Sequence, residues 1–132
     1  MKGIHHLGVA VEDLDLAIST YQRLLGAELE DRAAQDEQGV EAASLHVGAG
    51  RVELLAALGP DTPVGRFLAR RGPGMHHVAY EVEDLPGELA RLEEEGAQLI
   101  DTVPRAGLFG MQVAFVHPDA LHGVLAELVT RG

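Results

Sequence analysis

With 132 residues, 46% of them hydrophobic, the chain is long enough and apolar enough for one domain with a real core. Its 10 Lys and Arg residues stand against 21 Asp and Glu residues, and the formal net charge of −11 argues against nucleic acid as a partner. The absence of cysteine excludes disulfides and thiolate metal sites, and without an apolar run long enough for a bilayer we expect a cytoplasmic protein with no membrane partner.

The first predicted elements are a strand over residues 4–11 and a helix over residues 14–25. The strand is rich in β-forming residues, and the apolar residues of the helix follow helical spacing. Asp13 or Asp15 can cap the start of the helix, and Gly26 can end it. Turn signals then separate three further predicted strands, at residues 27–32, 40–47 and 51–56.

The second half of the chain repeats the first. HHLGVAVEDL at residues 5–14 is echoed by HHVAYEVEDL at residues 76–85, and GAEL at residues 26–29 is echoed by GAQL at residues 96–99. Chance is a poor explanation of two matches in the same order. The repeat predicts a strand at residues 75–82, a helix at residues 85–95, and strands near residues 98–102, 111–116 and 123–129.

This organisation predicts an α+β fold made of two tandem βαβββ modules that form a cupped, mostly antiparallel sheet. Module one covers about residues 1–58, a linker with a short helix covers about residues 59–74, and module two covers about residues 75–132. One module alone would bury too little apolar surface to be stable. We therefore expect a single domain over residues 1–132.

Two histidines and two glutamates occupy matching places in the repeat. His6 and His77 lie in the first strand of each module, and Glu53 and Glu127 lie in the last. Each glutamate stands inside an apolar strand, where an unpaired buried carboxylate would be costly. One such residue alone is more often structural or solvent-exposed, but the equivalence of the two pairs favours a shared site.

These four side chains predict one divalent metal ion in the cup of the sheet. Two imidazoles and two carboxylates without a thiolate suit Co²⁺, Mn²⁺, Ni²⁺, Zn²⁺ or Fe²⁺. Positions left open on such an ion can chelate two substrate oxygens and stabilise an enolate by Lewis-acid chemistry. Hydrolysis by a serine nucleophile is less supported, because the sequence has no Gly-x-Ser-x-Gly motif.

Five sequence motifs carry a family resemblance over nearly the whole chain. They are HHLGVAV at residues 5–11, DTPVGRFL at 61–68, GMHHV at 74–78, FVHP at 115–118 and GVLAEL at 123–128. With them the chain resembles the vicinal oxygen chelate superfamily and, within it, the methylmalonyl-CoA epimerase family. The resemblance implies metal ligands at His6, Glu53, His77 and Glu127, although many family members carry Gln where Glu53 stands. It also implies an isomerase with an acyl-CoA as its small-molecule partner, and a homodimer.

The family mechanism implies epimerisation at C2 of methylmalonyl-CoA through a metal-stabilised enolate, with one base removing the α-proton and a second acid returning it on the opposite face. Glu127 resembles one of these two groups. The other family acid is a Glu two residues after a Gln-Gly-Val turn, but here Glu41 comes one place early and Ala42 takes the expected position. A local bulge could restore Glu41, His46 or a metal-held water could replace it, or the chemistry could differ.

Two other functions compete with epimerisation. A glyoxalase-I-like lyase acting on a glutathione hemithioacetal would use the same types of ligand. A metal-free small-molecule binding protein, like the bleomycin-resistance proteins of this fold, would be expected to lose ligand residues. Here all four ligand positions are chemically competent.

Overall fold

The computed structural model describes residues 1–131, which contain eight strands and three α-helices in two βαβββ runs. The first run consists of β1 (Gly3–Ala10), α1 (Leu14–Leu25), β2 (Glu28–Gln35), β3 (Val40–Val47) and β4 (Gly50–Ala57), and α2 (Pro63–Arg71) follows it. The second run consists of β5 (Gly74–Glu81), α3 (Leu85–Glu94), β6 (Arg105–Ala106), β7 (Met111–Val116) and β8 (Ala126–Arg131). The predicted fold class of two tandem modules is confirmed.

The described chain divides into two compact units, and the division falls near the boundary of the repeat. One unit is His6–His76, and the other joins Met1–His5 to the residues from His77 onward. The prediction that the whole chain forms one domain with a linker stays a prediction. None of the helices described in residues 1–131 is long and apolar enough to cross a membrane.

In the unit His6–His76 the strands are ordered β2-β3-β4-β1, with β4 and β1 parallel and the other pairs antiparallel. Helix α1 begins where the Asp13 side chain accepts the backbone N–H of Leu16, and it ends at Gly26 with a left-handed φ of 63°. Its buried Leu14 and Ile18 pack on one sheet face against a core that includes Leu45 and Leu54. The opposite face is therefore left for the polar side chains.

The second unit is built in the same way. Its strands are ordered β5-β8-β7-β6, with β5 and β8 parallel and the remaining pairs antiparallel. Helix α3 begins at Asp84, whose side chain accepts the backbone N–H of Gly87. Its buried Leu85 and Leu89 pack against the sheet near Leu128. Here too, the helix covers the sheet face opposite the histidine.

Three strands differ clearly from those expected from the sequence. The last, expected near residues 123–129, begins at Ala126 and runs to Arg131 as β8. The predicted strand at residues 98–102 is reduced to a single bridge between Leu99 and Val116, and β6 forms further on, at Arg105–Ala106. Asp101 prevents a longer ladder at this point, because its side chain accepts the backbone N–H of Phe115 at 2.8 Å. Strand β2 extends beyond residue 32 to Gln35, since it pairs with β3 as far as Val40.

Candidate metal centre

The first of the two predicted ligand pairs lies in the unit His6–His76. His6 on β1 and Glu53 on β4 are only 1% and 5% exposed. The strands run parallel with Gly8 beside Glu53, so the two side chains share a face with a stagger of two residues. This stagger brings His6 Nε2 to 3.4 Å from Glu53 Oε2.

The second pair repeats this geometry in the other unit. His77 on β5 and Glu127 on β8 are 4% and 9% exposed. Ala79 lies beside Glu127 in the parallel register, which reproduces the same stagger of two residues. His77 Nε2 is 3.3 Å from Glu127 Oε1. The duplication seen in the sequence therefore extends to the register of the strands and to the contact between the side chains.

The donor atoms of each pair fit a divalent ion. Separations of 3.4 Å and 3.3 Å exceed the roughly 2.7–2.9 Å of a charge-assisted N–H···O hydrogen bond. Two ligand atoms at about 2.1 Å from one ion, and about 90–109° apart, lie about 3.0–3.4 Å from each other. Buried imidazole nitrogens beside carboxylate oxygens, without thiolate, form a suitable donor set for the metals expected from the sequence.

An aromatic ring supports the second pair. Phe115 on β7 lies beside Glu127 on β8, and its ring meets that of His77 edge to face at a centroid distance of 5.9 Å. Arg105 lies over the Phe115 ring at 5.4 Å, and its Nε is 3.4 Å from Asp101 Oδ2. The packing restricts the rotation of the His77 imidazole.

The predicted acid Glu41 lies on the helix-bearing face of its sheet. Its Oε2 accepts a hydrogen bond of 3.2 Å from Arg32 Nε, and Arg32 Nη1 lies 2.6 Å from Asp15 of α1. The Asp15 carboxylate, followed by that of Glu41, raises the pKa of the Arg32 guanidinium. No bulge turns Glu41 toward the face of Glu53, because β3 pairs with β4 in unbroken register from Val40 to Val47.

The predicted group His46 lies on the opposite face, with Ser44. Ser44 pairs directly with Glu53, and His46 pairs with Arg51 two residues further along the strands. Ser44 is only 3% exposed. The structure therefore brings His46 to the sheet face that carries Glu53 and separates Glu41 from that face.

Glu30 is a polar residue of this face that sequence reasoning missed. The register of β2 against β3 shifts between Leu29 and Asp31, so Glu30 is the extra residue of a β-bulge. Its carboxylate accepts hydrogen bonds from Ser44 Oγ at 2.9 Å and from Arg51 Nε at 3.0 Å. His46 Nε2 lies 2.9 Å from Glu30 Oε2. A register shift within a strand of mixed composition leaves no clear signal in a single sequence.

The charge state of Glu30 follows from these contacts. Its pKa is lowered from 4.5 to about 2, chiefly by the hydrogen bond from Arg51, with smaller contributions from Ser44 and His46. Partial burial opposes the shift but does not cancel it. Glu30 is therefore a carboxylate at neutral pH, which can accept hydrogen bonds but cannot itself act as an acid.

The chain is similar to known proteins over nearly its full length. Residues 5–115 match the Glyoxalase/Bleomycin resistance protein/Dioxygenase superfamily. The ethylmalonyl-CoA/methylmalonyl-CoA epimerase of Cereibacter sphaeroides is 35% identical over 127 residues, which are 95% of this chain and 95% of that protein.

Solved structures show the same similarity. The crystal structure of methylmalonyl-CoA epimerase from Mycobacterium tuberculosis has a TM-score of 0.94 and 37% identity, and the match covers 98% of this chain and 88% of that chain. A methylmalonyl-CoA epimerase in complex with methylmalonyl-CoA and NH4+ has a TM-score of 0.95 and 35% identity, covering 100% of this chain and 96% of that chain. The chain therefore belongs to the glyoxalase/bleomycin resistance/dioxygenase superfamily and, within it, to the methylmalonyl-CoA epimerase family that its motifs resemble.

Proposed function

We propose that the protein is an isomerase that epimerises methylmalonyl-CoA at C2, with this acyl-CoA as its small-molecule substrate. The observation that carries the proposal is the pair of buried His–Glu contacts, which have the same register in both modules. Relatives that share about a third of the sequence are named as epimerases of this substrate. A binding protein without metal would have no need of two buried His–carboxylate pairs.

His6, Glu53, His77 and Glu127 are the residues that would hold the metal, as one divalent ion per chain. When bound, the ion supplies Lewis-acid stabilisation of the negative charge that develops on the substrate oxygens. The donor set leaves Co²⁺, Mn²⁺, Ni²⁺, Zn²⁺ and Fe²⁺ as candidates. All four side chains are buried, so little water reaches their donor atoms.

Inversion at C2 requires two groups that exchange protons with the α-carbon. We assign one of these roles to Glu127, whose carboxylate takes the α-proton in one direction and returns a proton in the other. When the proton leaves, its electron pair stays on the substrate as an enolate. The second group then adds a proton to the same carbon, which completes the inversion without net consumption of protons.

His46 is the better candidate for the second group. Glu41 is held by Arg32 on the helix-bearing face, whereas His46 shares the face of Glu53 and Ser44. Ala42, at the place where the family acid is expected, has no ionisable side chain and is fully buried. The imidazole therefore takes over a role for which a carboxylate is expected.

The proposal is tested by metal analysis and proton exchange in one sample. Purified protein loaded with each candidate ion in turn is incubated with methylmalonyl-CoA in heavy water, and deuterium at C2 is measured by mass spectrometry. We expect one ion per chain and deuterium incorporation that stops on chelation. Full metal without incorporation, together with turnover of the glutathione hemithioacetal of methylglyoxal, would replace the epimerase assignment with a glyoxalase.

Assembly and location complete the proposal. Strand β2 forms one end of the strand order in its unit and is largely exposed, so its backbone groups offer an edge that a second copy can cover. We expect a homodimer, and a monomer in sedimentation at micromolar concentration would contradict this. A cytoplasmic location is part of the same proposal, since the chain has no cysteine and suits a reducing compartment.

A further inference from the structure

A polar cluster extends from the metal-ligating face of β4 across β3 to β2. We define it as Glu30, Ser44, His46 and Arg51. Ser44 lies directly across from Glu53, so the cluster begins beside a proposed metal ligand. Glu30 is its centre, because its carboxylate is the only group that all three other members contact in the described part of the chain.

We propose that Glu30 is a positioning residue that holds the His46 imidazole in the tautomer needed to move the α-proton. The inference rests on the proposed epimerisation and explains how its second acid–base group, His46, is held in position. Glu30 Oε2 lies 2.9 Å from His46 Nε2. Arg51 donates hydrogen bonds to both carboxylate oxygens of Glu30, from Nε to Oε1 at 3.0 Å and from Nη2 to Oε2 at 3.3 Å. Glu30 is therefore anchored on one side and orients His46 on the other.

The tautomer follows from hydrogen-bond chemistry. An ionised carboxylate has no proton to donate, so the atom that contacts it must be a donor. His46 Nε2 therefore carries a proton, and in the neutral imidazole the lone pair lies on Nδ1. Glu28, the other acidic residue of β2 near His46, pairs with it in register but forms no hydrogen bond or ion pair with its ring in the described part of the chain.

The proton balance is closed with Glu127 as the partner group. In one direction neutral His46 takes the α-proton on Nδ1, and the bonding electrons remain on the substrate as an enolate. The second proton carrier, a role that the proposed function assigns to Glu127, then gives a proton to the α-carbon. One turnover leaves an imidazolium and a carboxylate, and proton exchange with water or turnover in the reverse direction restores the starting state.

The experiment compares variants of the full metal-loaded chain. Glu30→Ala removes the acceptor, Glu30→Gln keeps an acceptor oxygen without its charge, and Glu28→Ala is the matched control on the same strand. We expect Glu30→Ala to lower kcat for α-proton exchange at least tenfold with metal content and KM little changed, Glu30→Gln to retain part of the rate, and Glu28→Ala to stay within twofold of wild type.

Two further measurements separate positioning from a general structural effect. In ¹⁵N-histidine spectra, the His46 signals should show the Nε2–H tautomer in the wild type and a mixture of tautomers in Glu30→Ala. In the background of His46→Ala, the Glu30→Ala change should have no further effect on exchange, because the imidazole that Glu30 positions is already absent.

The outcomes distinguish this inference from the proposed function. Exchange by the wild type that survives in Glu30→Ala, or an unchanged His46 tautomer in that variant, overturns the role of Glu30 and leaves epimerisation standing. Additive losses in the double variant also overturn it. No exchange by metal-loaded wild type overturns the proposed function, and the role of Glu30 falls with it. Because Glu30 lies at the surface, the Ala variant should fold, and the tautomer is read in the folded protein.

Discussion

Removal of the metal should lower the thermal stability of the folded protein by a measurable amount. The ion would bind donor atoms of buried side chains that are assembled only in the folded state, so binding adds to the free energy of unfolding. An ion present at about 100 times its dissociation constant contributes about 2.7 kcal/mol. With an unfolding entropy of about 2.1 cal/mol/K per residue, the 132 residues correspond to about 0.28 kcal/mol/K. The expected change in Tm is therefore about 10 °C.

The assay is differential scanning calorimetry of one preparation with the ion and with a chelator. His77→Ala should remove most of the metal-dependent shift, because it deletes one of the four buried side chains proposed as ligands. His117→Ala is the matched control: it loses the imidazole that accepts the Asp119 backbone N–H, yet it should keep the full shift. Equal Tm values for the wild type with and without metal, or a full shift in His77→Ala, would refute the metal assignment.

Three other predictions concern single carboxylates. Glu127→Gln keeps an oxygen for the metal but cannot accept the α-proton, so we expect retained metal with exchange reduced at least 100-fold, measured in the same sample. Glu41→Gln should change exchange by less than twofold and cost at most about 1 kcal/mol of stability in urea, through the exposed ion pair with Arg32. The depressed pKa of Glu30, about 2 against 4.5, makes its ionised form stabilising above pH 4.5. In urea titrations of metal-free protein, Glu30→Gln should be less stable than wild type near pH 6, and the difference should vanish as the pH falls toward 2; a constant difference contradicts the linkage.

Much of the fold could be predicted because the sequence contains the same βαβββ pattern twice. The helices begin at Asp13 and Asp84, which occupy the same place in the repeated motif and cap their helices through the same type of contact. Helical spacing then identifies the buried stripes that meet the sheet. The prediction of a strand at residues 98–102 was wrong. The Asp101 side chain accepts the backbone N–H of Phe115, a donor that a longer ladder would use. Such a competition depends on residues that are distant in the sequence.

The proposed site was partly predictable for a related reason. Alternation along β3 indicated that Glu41 points away from the face of Ala42, Ser44 and His46, and the structure agrees. The position of Glu30 on this face could not be predicted in the same way, because a bulge breaks the alternation of β2 at that residue. Alternation can be extrapolated only where the register is regular, and a single sequence gives no register.

The two modules agree where they would hold the metal and differ beside it. Each glutamate has a histidine on one neighbouring strand with the same stagger, but the residue on its other side is Ser44 for Glu53 and Phe115 for Glu127. A metal ion needs only matching donors, so duplication of one module is enough to supply them. Inversion of a chiral carbon also needs a proton carrier on each face of that carbon, and the two carriers need not be of the same chemical kind. The polar neighbourhood of Glu53 extends to Glu30 and His46, whereas Glu127 has the Phe115 ring beside it. The proposed proton carriers His46 and Glu127 therefore lie where the two modules differ, beside a His–Glu geometry that the modules share.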